Sequence, residues 1–533
     1  MKVFRFVLNP FFVSIILFSI SINTAQAQRL KLSKERKAEL DSIKNTQQKL
    51  WQEVIDQAEN RRRVWQANSD SIHALHPERL NRDVAMKKRR EAFALKRKNE
   101  KYTLDSLHRI QYDLLLASSG FAHNSSLILK GGLFEAVPGE VYSLADLDSL
   151  DLSGNDISSI DKQLFALPNL KKLNLSYNNL NHKSIRFRKN LQIENLNLSH
   201  NKLTKIPTQL RKIKHLKTLD LSNNQFAKSG KRLKLSKWKD LEHLDLSDNG
   251  LTALPRGLHK LKKLKTLQLN NNKLTSLKGL EKLKSLKELE LSNNIVALDP
   301  RYFTGLDSLE KLSMRKCGLI YLPPEIGQLR NLRELVLPEN RLTNIPPEIG
   351  QLVKLENLMV YKNQLTEIPE EIFELKQLNW LDLYYNQIEQ LSEKLSQLQK
   401  LEILFLSHNK LDELPSTLES MVKLKELYVH HNQLRELPDV SGLNKLRYLH
   451  LQHNHLTEFP EAILKLKQLE ELDISHNLIT EFPEDIRNFE KLNFIYLNDN
   501  MTDMQDINYE KLKMALKELN DRGVGIRFDY PGK

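Results

Sequence analysis

The chain has 533 residues, 40% of them hydrophobic, 28% charged and 7% aromatic, which is ordinary for a soluble protein. Its formal net charge is +14, and it holds one cysteine, Cys317. A single thiol excludes a disulfide framework and a cysteine-based metal site; it speaks against a disulfide-capped eukaryotic extracellular domain and suits a bacterial envelope protein.

The first element expected is a processing signal at residues 1–27. Lys2 and Arg5 form a positive start, Phe6 to Ile22 is mostly apolar, and Ala25-Gln26-Ala27 is a small-x-small cleavage site. No cysteine follows that site, so no lipid anchor is expected there, and no later stretch is apolar enough to span a membrane. The expected location is therefore secreted or periplasmic.

Residues 30–117 form the second element. They carry 20 Lys and Arg against 13 Asp and Glu, and they contain no glycine and one proline, Pro77. Apolar residues recur at helical spacing through Leu40, Ile43, Leu50, Val54 and Trp65, and again through Leu80, Val84, Phe93, Leu104 and Leu114. This pattern predicts an α-helical hairpin or short coiled coil. The clusters Arg61-Arg62-Arg63 and Lys87-Lys88-Arg89-Arg90 suit either an anionic envelope surface or a solvated helix face. Export makes nucleic acid an unexpected partner.

From residue 125 to 500 one pattern returns, Leu-x-x-Leu-x-Leu-x-x-Asn-x-Leu, as in Leu332 to Leu342. Its asparagine position falls at Asn155, Asn178, Asn201, Asn224, Asn249, Asn272, Asn294, Cys317, Asn340, Asn363, Asn386, Asn409, Asn432, Asn454, Asn477 and Asn500. That gives sixteen units, most of them 23 residues long, after one degenerate unit with Leu127, Leu129 and Gly132. Leucines at period two share one face of a short strand. One unit cannot bury its own leucines, so stacked units must share a core and pair their strands in parallel. The Ile-Pro-x-x-Ile segment should start a short helical piece on the convex side, which forces a curve. Cys317 reads as a small buried substitute for asparagine. Residues 501–533 should cap the array, with a helix from Tyr509 to Asn520 and a last edge strand around Val524, Ile526 and Phe528.

These repeats resemble the leucine-rich-repeat family. The half-unit Leu342 to Leu352 is similar to the 23-residue class shared by plant disease-resistance and Ras-scaffold proteins, here in a bacterial secreted form. The resemblance implies an α/β solenoid, a curved horseshoe with a parallel sheet on its concave face, and a protein-binding role.

The residue between the paired leucines should face the concave side. That column begins Asp151, Asn174, Asn197, Asp220, Asp245, Gln268 and Glu290, then changes to Ser313, Val336, Met359, Asp382, Phe405, Tyr428, His450, Asp473 and Tyr496. Neighbouring columns add Tyr361, Trp380, Tyr384 and Tyr448. A polar, mildly acidic strip thus gives way to solvent-facing aromatic and apolar residues. Such a patch marks a partner site. The expected site comprises Val336, Met359, Tyr361, Trp380, Asp382, Tyr384, Phe405, Tyr428, Tyr448, His450 and Tyr496.

A second column, His408, His431, His453 and His476, should form a row of imidazoles without a carboxylate beside it, so no metal and no cofactor are expected. Lysines such as Lys205, Lys212, Lys260 and Lys263 crowd the convex side. No motif of a zinc protease, serine hydrolase or phosphate loop occurs, so a binder is expected and not an enzyme. Three readings stay open: a scaffold for a protein partner, a surface protein whose aromatics stack on sugar rings, and a secreted effector that meets a host protein.

Overall fold

The computed structural model describes residues 125–529, apart from 132–133, 186–191, 229–232, 234 and 502–506. The chain divides into two units, Met1–Ala122 and His123–Lys533, and the described residues all belong to the second. The expected signal peptide, the basic helical segment and Gly132 lie outside the described residues.

Within the second unit, the leucine spacing becomes a sheet of eighteen three-residue strands, from β1 (Ser126–Ile128) to β18 (Gly525–Arg527), numbered in chain order. Each strand pairs in parallel with the next. In β12 (Trp380–Asp382), β13 (Ile403–Phe405), β14 (Glu426–Tyr428) and β15 (Tyr448–His450), the register sets Leu381, Leu404, Leu427 and Leu449 side by side. Those four leucines are fully buried. Leu406, two residues after Leu404, is also buried, whereas Phe405 between them is half-buried on the opposite face. The period-two pattern thus sorts core from surface, and the core is a continuous leucine stack shared between units.

The asparagines close each turn. Asn178 is representative: its amide nitrogen donates to the Leu152 carbonyl of the preceding unit at 2.9 Å and to its own Leu175 carbonyl at 3.1 Å. Its Oδ1 accepts from the Ile157 N–H at 3.0 Å. One buried side chain therefore satisfies backbone groups in two successive units, where water cannot reach. The residue before each ladder position has positive φ, Gly154 at the first and fifteen non-glycine residues after it. Asn, Asp and His fill many of these places, as that backbone region favours.

Cys317 fits the ladder by a different set of bonds. Its Sγ donates to the Leu291 carbonyl at 3.3 Å. The Val296 N–H, which an asparagine Oδ1 would take, goes instead to the Cys317 backbone carbonyl at 3.2 Å. Burial pushes the thiol up to about 11, so it stays a protonated donor.

On the convex side, the Ile-Pro segments form 3-10 turns such as Pro324–Gln328 and Pro347–Gln351, with proline in the first turn and Ile326 and Ile349 buried beneath. The short helical pieces on this side are 3-10 turns of three to five residues. The α-helix among the described residues is α1 (Ile507–Asp521), which buries Leu512, Leu516 and Leu519 at the C-terminal end. β18 follows it and pairs with β17 (Phe494–Tyr496). No helix among the described residues is long and apolar enough to cross a membrane.

Candidate functional site

The strands in register carry the concave column straight across the sheet. Val336, Met359, Asp382, Phe405, Tyr428 and His450 occupy equivalent positions on successive strands. Parallel strands spaced about 4.8 Å apart bring neighbouring rings to stacking distance. Phe405 and Tyr428 stack at 4.5 Å with 7° between their planes. Trp380 leans on Phe405 at 6.0 Å, and His450 meets Tyr428 edge-on at 4.8 Å. These four form one continuous strip. Because each ring covers the next, the expected solvent-facing aromatics are in fact half-buried.

The other expected residues are less close. Tyr384 lies 5.2 Å from His408 and 5.7 Å from Tyr385, which extends the strip toward the ends of the strands. Tyr448 donates to Glu470 at 3.3 Å. Tyr361, Val336 and Met359 lie on the N-terminal side of the strip. Tyr496 stands apart, with Asp473 between it and His450; its neighbours are Phe494 and the Arg527 guanidinium.

A consequence of the aromatic column is visible one step further along each strand. In seven units, a polar residue of the concave column (Asp151, Asn174, Asn197, Asp220, Asp245, Asp382 and Asp473) accepts a hydrogen bond from the N–H two places on. Ser222 donates to Asp220 through both N–H at 2.9 Å and Oγ at 2.7 Å. Ser199 does the same with Asn197, and Ser475 with Asp473. Phe405 and Tyr428 have no acceptor at that place. Ser407 Oγ and His430 Nδ1, two residues after them, are buried without a hydrogen-bond partner among the described residues, as are Trp380 Nε1 and Gln452 Oε1 nearby. With His450 Nε2, which lies 3.3 Å from Glu471 without a hydrogen bond, five such atoms fall within four consecutive units, where each buried polar atom left unpaired costs about 1–3 kcal/mol.

The electrostatics of this region are those of a desolvated surface. Burial pushes the Asp382 carboxyl up to about 6, against a bond from the Tyr384 N–H. Burial first, and then the neighbouring imidazoles, holds His430 down near 3 and His431 near 4. His450 is lowered by burial although its Nε2 lies 3.3 Å from Glu471. Tyr428 is raised by burial and by Glu426, to which its hydroxyl donates at 3.0 Å.

The second histidine column is a row of stacked rings. His408, His431, His453 and His476 follow one another at 4.1 Å between centroids. The expectation that no carboxylate accompanies them is corrected: Asp499, the same position one unit later, lies 3.2 Å from His476. His430 was not singled out from sequence, because its column holds serine in half the units. The signal available was that departure from serine, directly beside a histidine of the row.

Comparison with known proteins follows the same geometry. Models of leucine-rich repeats match residues 145–187, 192–230, 239–282, 330–388, 353–411 and 377–434, and a leucine-rich-repeat-region model matches 430–525. No curated protein matches the chain significantly. Among solved structures, a leucine-rich-repeat protein of Leptospira interrogans is 31% identical, covers 78% of this chain and 98% of its own, and superposes with a TM-score of 0.65. The structure of a TDR receptor is 26% identical over 72% of this chain and 70% of its own, with a TM-score of 0.54. An internalin from Listeria monocytogenes, 23% identical over 56% of this chain and 83% of its own, shares the fold at a TM-score of 0.50. Proteins of this fold are generally protein-binding scaffolds and generally not enzymes. On its repeats, its sheet and its likeness to the Leptospira protein, the chain belongs to the leucine-rich-repeat family.

Proposed function

We propose that this chain is an exported, non-catalytic scaffold that holds a protein partner on its concave face, centred on Trp380, Phe405, Tyr428 and His450. The observation that carries this reading is the coincidence of two features. A continuous aromatic strip lies over buried polar atoms that no described residue satisfies. Binding hot spots concentrate in clustered aromatic anchors of desolvated patches, and the unpaired polar atoms mark this part of the sheet as shaped for something other than its own stability. Val336, Met359, Tyr361, Asp382, Tyr384, Tyr448 and Tyr496 are assigned to its margins. The export reading rests on the signal-like residues 1–27, and the basic residues 30–117 are assigned contact with an anionic envelope surface.

The test is an affinity capture from a native envelope extract, with the wild-type chain and the Phe405→Glu/Tyr428→Glu variant as parallel baits. A protein retained by the first and lost by the second supports the reading. Identical captures, with both baits folded, reject the concave strip as the site.

A further inference from the structure

The geometry points to a binding site for a borderline divalent transition-metal ion, of which zinc is the type, formed by His408, His430 and His431. One ring nitrogen of each of these three residues lies within 4.8 Å of the other two.

The arrangement follows from the backbone. His430 and His431 are consecutive, and in an extended strand they would point to opposite faces. His431 has φ +54°, which breaks the alternation and leaves the two rings 5.3 Å apart. His408 holds the position equivalent to His431 one unit earlier, and its ring meets His430 edge-on at 5.4 Å. The His408 N–H donates to the His430 carbonyl at 2.9 Å, so the two units are tied together at this point. Three imidazoles therefore hang from a rigid, hydrogen-bonded sheet end.

The chemistry suits a metal better than a hydrogen-bond network. His430 Nδ1 is buried and lacks a partner among the described residues, an open lone pair or N–H beside two partly exposed imidazoles. No carboxylate is among the three, so the donor set is all nitrogen, which suits zinc, nickel and copper ions and not calcium or magnesium. Zinc bonded to nitrogen at about 2.1 Å in a tetrahedron sets the nitrogens about 3.4 Å apart. Closing from the present spacing brings the nitrogens about 1.4 Å nearer and turns His408 and His431 out of their 4.1 Å stack, so that their in-plane lone pairs meet at the ion. Three protein ligands leave a fourth position open, to water or to a side chain brought by another molecule. Zinc binding here is independent of whether a protein docks on the aromatic strip.

The experiment is a zinc titration of the untagged chain against a chromophoric chelator, with cobalt substitution to read the coordination sphere. Three variants accompany it. His430→Ser installs the residue most common in that column, and His431→Asn installs one that the left-handed position already accepts at Asn223 and Asn271. His476→Asn alters the stacked row away from the cluster. The expected result is one equivalent bound by wild type and by His476→Asn, with the visible bands of tetrahedral cobalt. His430→Ser and His431→Asn should each bind about 100-fold more weakly while melting without metal at the wild-type temperature. No binding by wild type at on the order of 100 µM zinc overturns the assignment. Equal affinity in His430→Ser, or equal loss in His476→Asn, overturns it as well.

Discussion

Asn340 offers the sharpest test of what holds the solenoid together. Its amide nitrogen donates to the carbonyls of Met314 at 2.9 Å and Leu337 at 2.8 Å. Its Oδ1 accepts from the N–H groups of Cys317 at 2.8 Å and Leu319 at 3.2 Å. All four partners belong to buried residues. Asn340→Ala leaves three backbone groups unpaired in a dry core, because the Leu337 carbonyl keeps a bond from the Asn363 amide at 3.1 Å. At about 1–1.5 kcal/mol for each after local relaxation, the loss is roughly 3–4.5 kcal/mol. Cys317→Ala is the built-in contrast, because the neighbouring ladder position gives up only weak thiol bonds, to the Leu291 and Arg315 carbonyls, and little volume, for about 1 kcal/mol or less. Urea unfolding followed by circular dichroism measures both. With Trp51 and Trp65 replaced by phenylalanine, fluorescence of Trp238 and Trp380, which lie on either side of the site in the chain, reports whether the array unfolds as one body. A loss under about 1 kcal/mol for Asn340→Ala, or equal losses for the two variants, would refute the claim that the asparagine amides close the turns.

Three further outcomes follow from the same geometry. Phe405→Asp should leave the melting temperature unchanged or raise it, because it supplies Ser407 with the acceptor that Ser222 finds in Asp220 and offsets the lost ring stacking; a drop of more than about 2 kcal/mol in unfolding free energy would contradict this. Cys317 should resist alkylation in the native chain and react once urea opens the core, because its thiol is buried and held up to about 11; rapid native labelling would contradict its place in the ladder. His430 and His431 titrate near 3 and 4 when folded and near 6.5 when unfolded, so the unfolded chain gains protons first and stability falls as pH drops below about 6.5. Asp382, raised to about 6, acts in the opposite sense, and His408, His431, His450 and His453 all face His430. Comparing wild type with His430→Ser isolates the histidine contribution: from about pH 7 to about pH 4.5 the melting temperature should fall less in the variant, and equal falls would refute it.

Much of the fold is legible in the sequence because its period is both local and repeated. Leu-x-Leu fixes which residues enter the core, as Leu404, Leu406 and half-buried Phe405 show. The step between units then fixes which residues are neighbours, so the partners of Phe405 in Asp382 and Tyr428 can be read by counting. Whether a short return segment coils as α or 3-10 is not written in any one residue, and only the structure shows the segments Pro324–Gln328 and Pro347–Gln351 to be 3-10 turns. The concave aromatics were legible for the same reason as the leucines. The unpaired atoms were not. Ser407 reads as an ordinary repeat serine until its acceptor is seen to be missing. His430 draws attention only when His431 turns left-handed and brings both rings to one side. Asp499 escaped notice beside the histidine row because it occupies the row's own column one unit later.

The central claim is that a partner sits on the aromatic strip and not on the polar strip formed by the first seven units. A photo-crosslinking side chain placed at Tyr384, beside the strip, and separately at Asn197, in the polar strip, tests it directly in the native extract. The account predicts a discrete crosslinked protein from the Tyr384 position, competed away by unlabelled wild-type chain and not by Phe405→Glu/Tyr428→Glu, and none from Asn197. A competed crosslink from Asn197 with none from Tyr384 would contradict it.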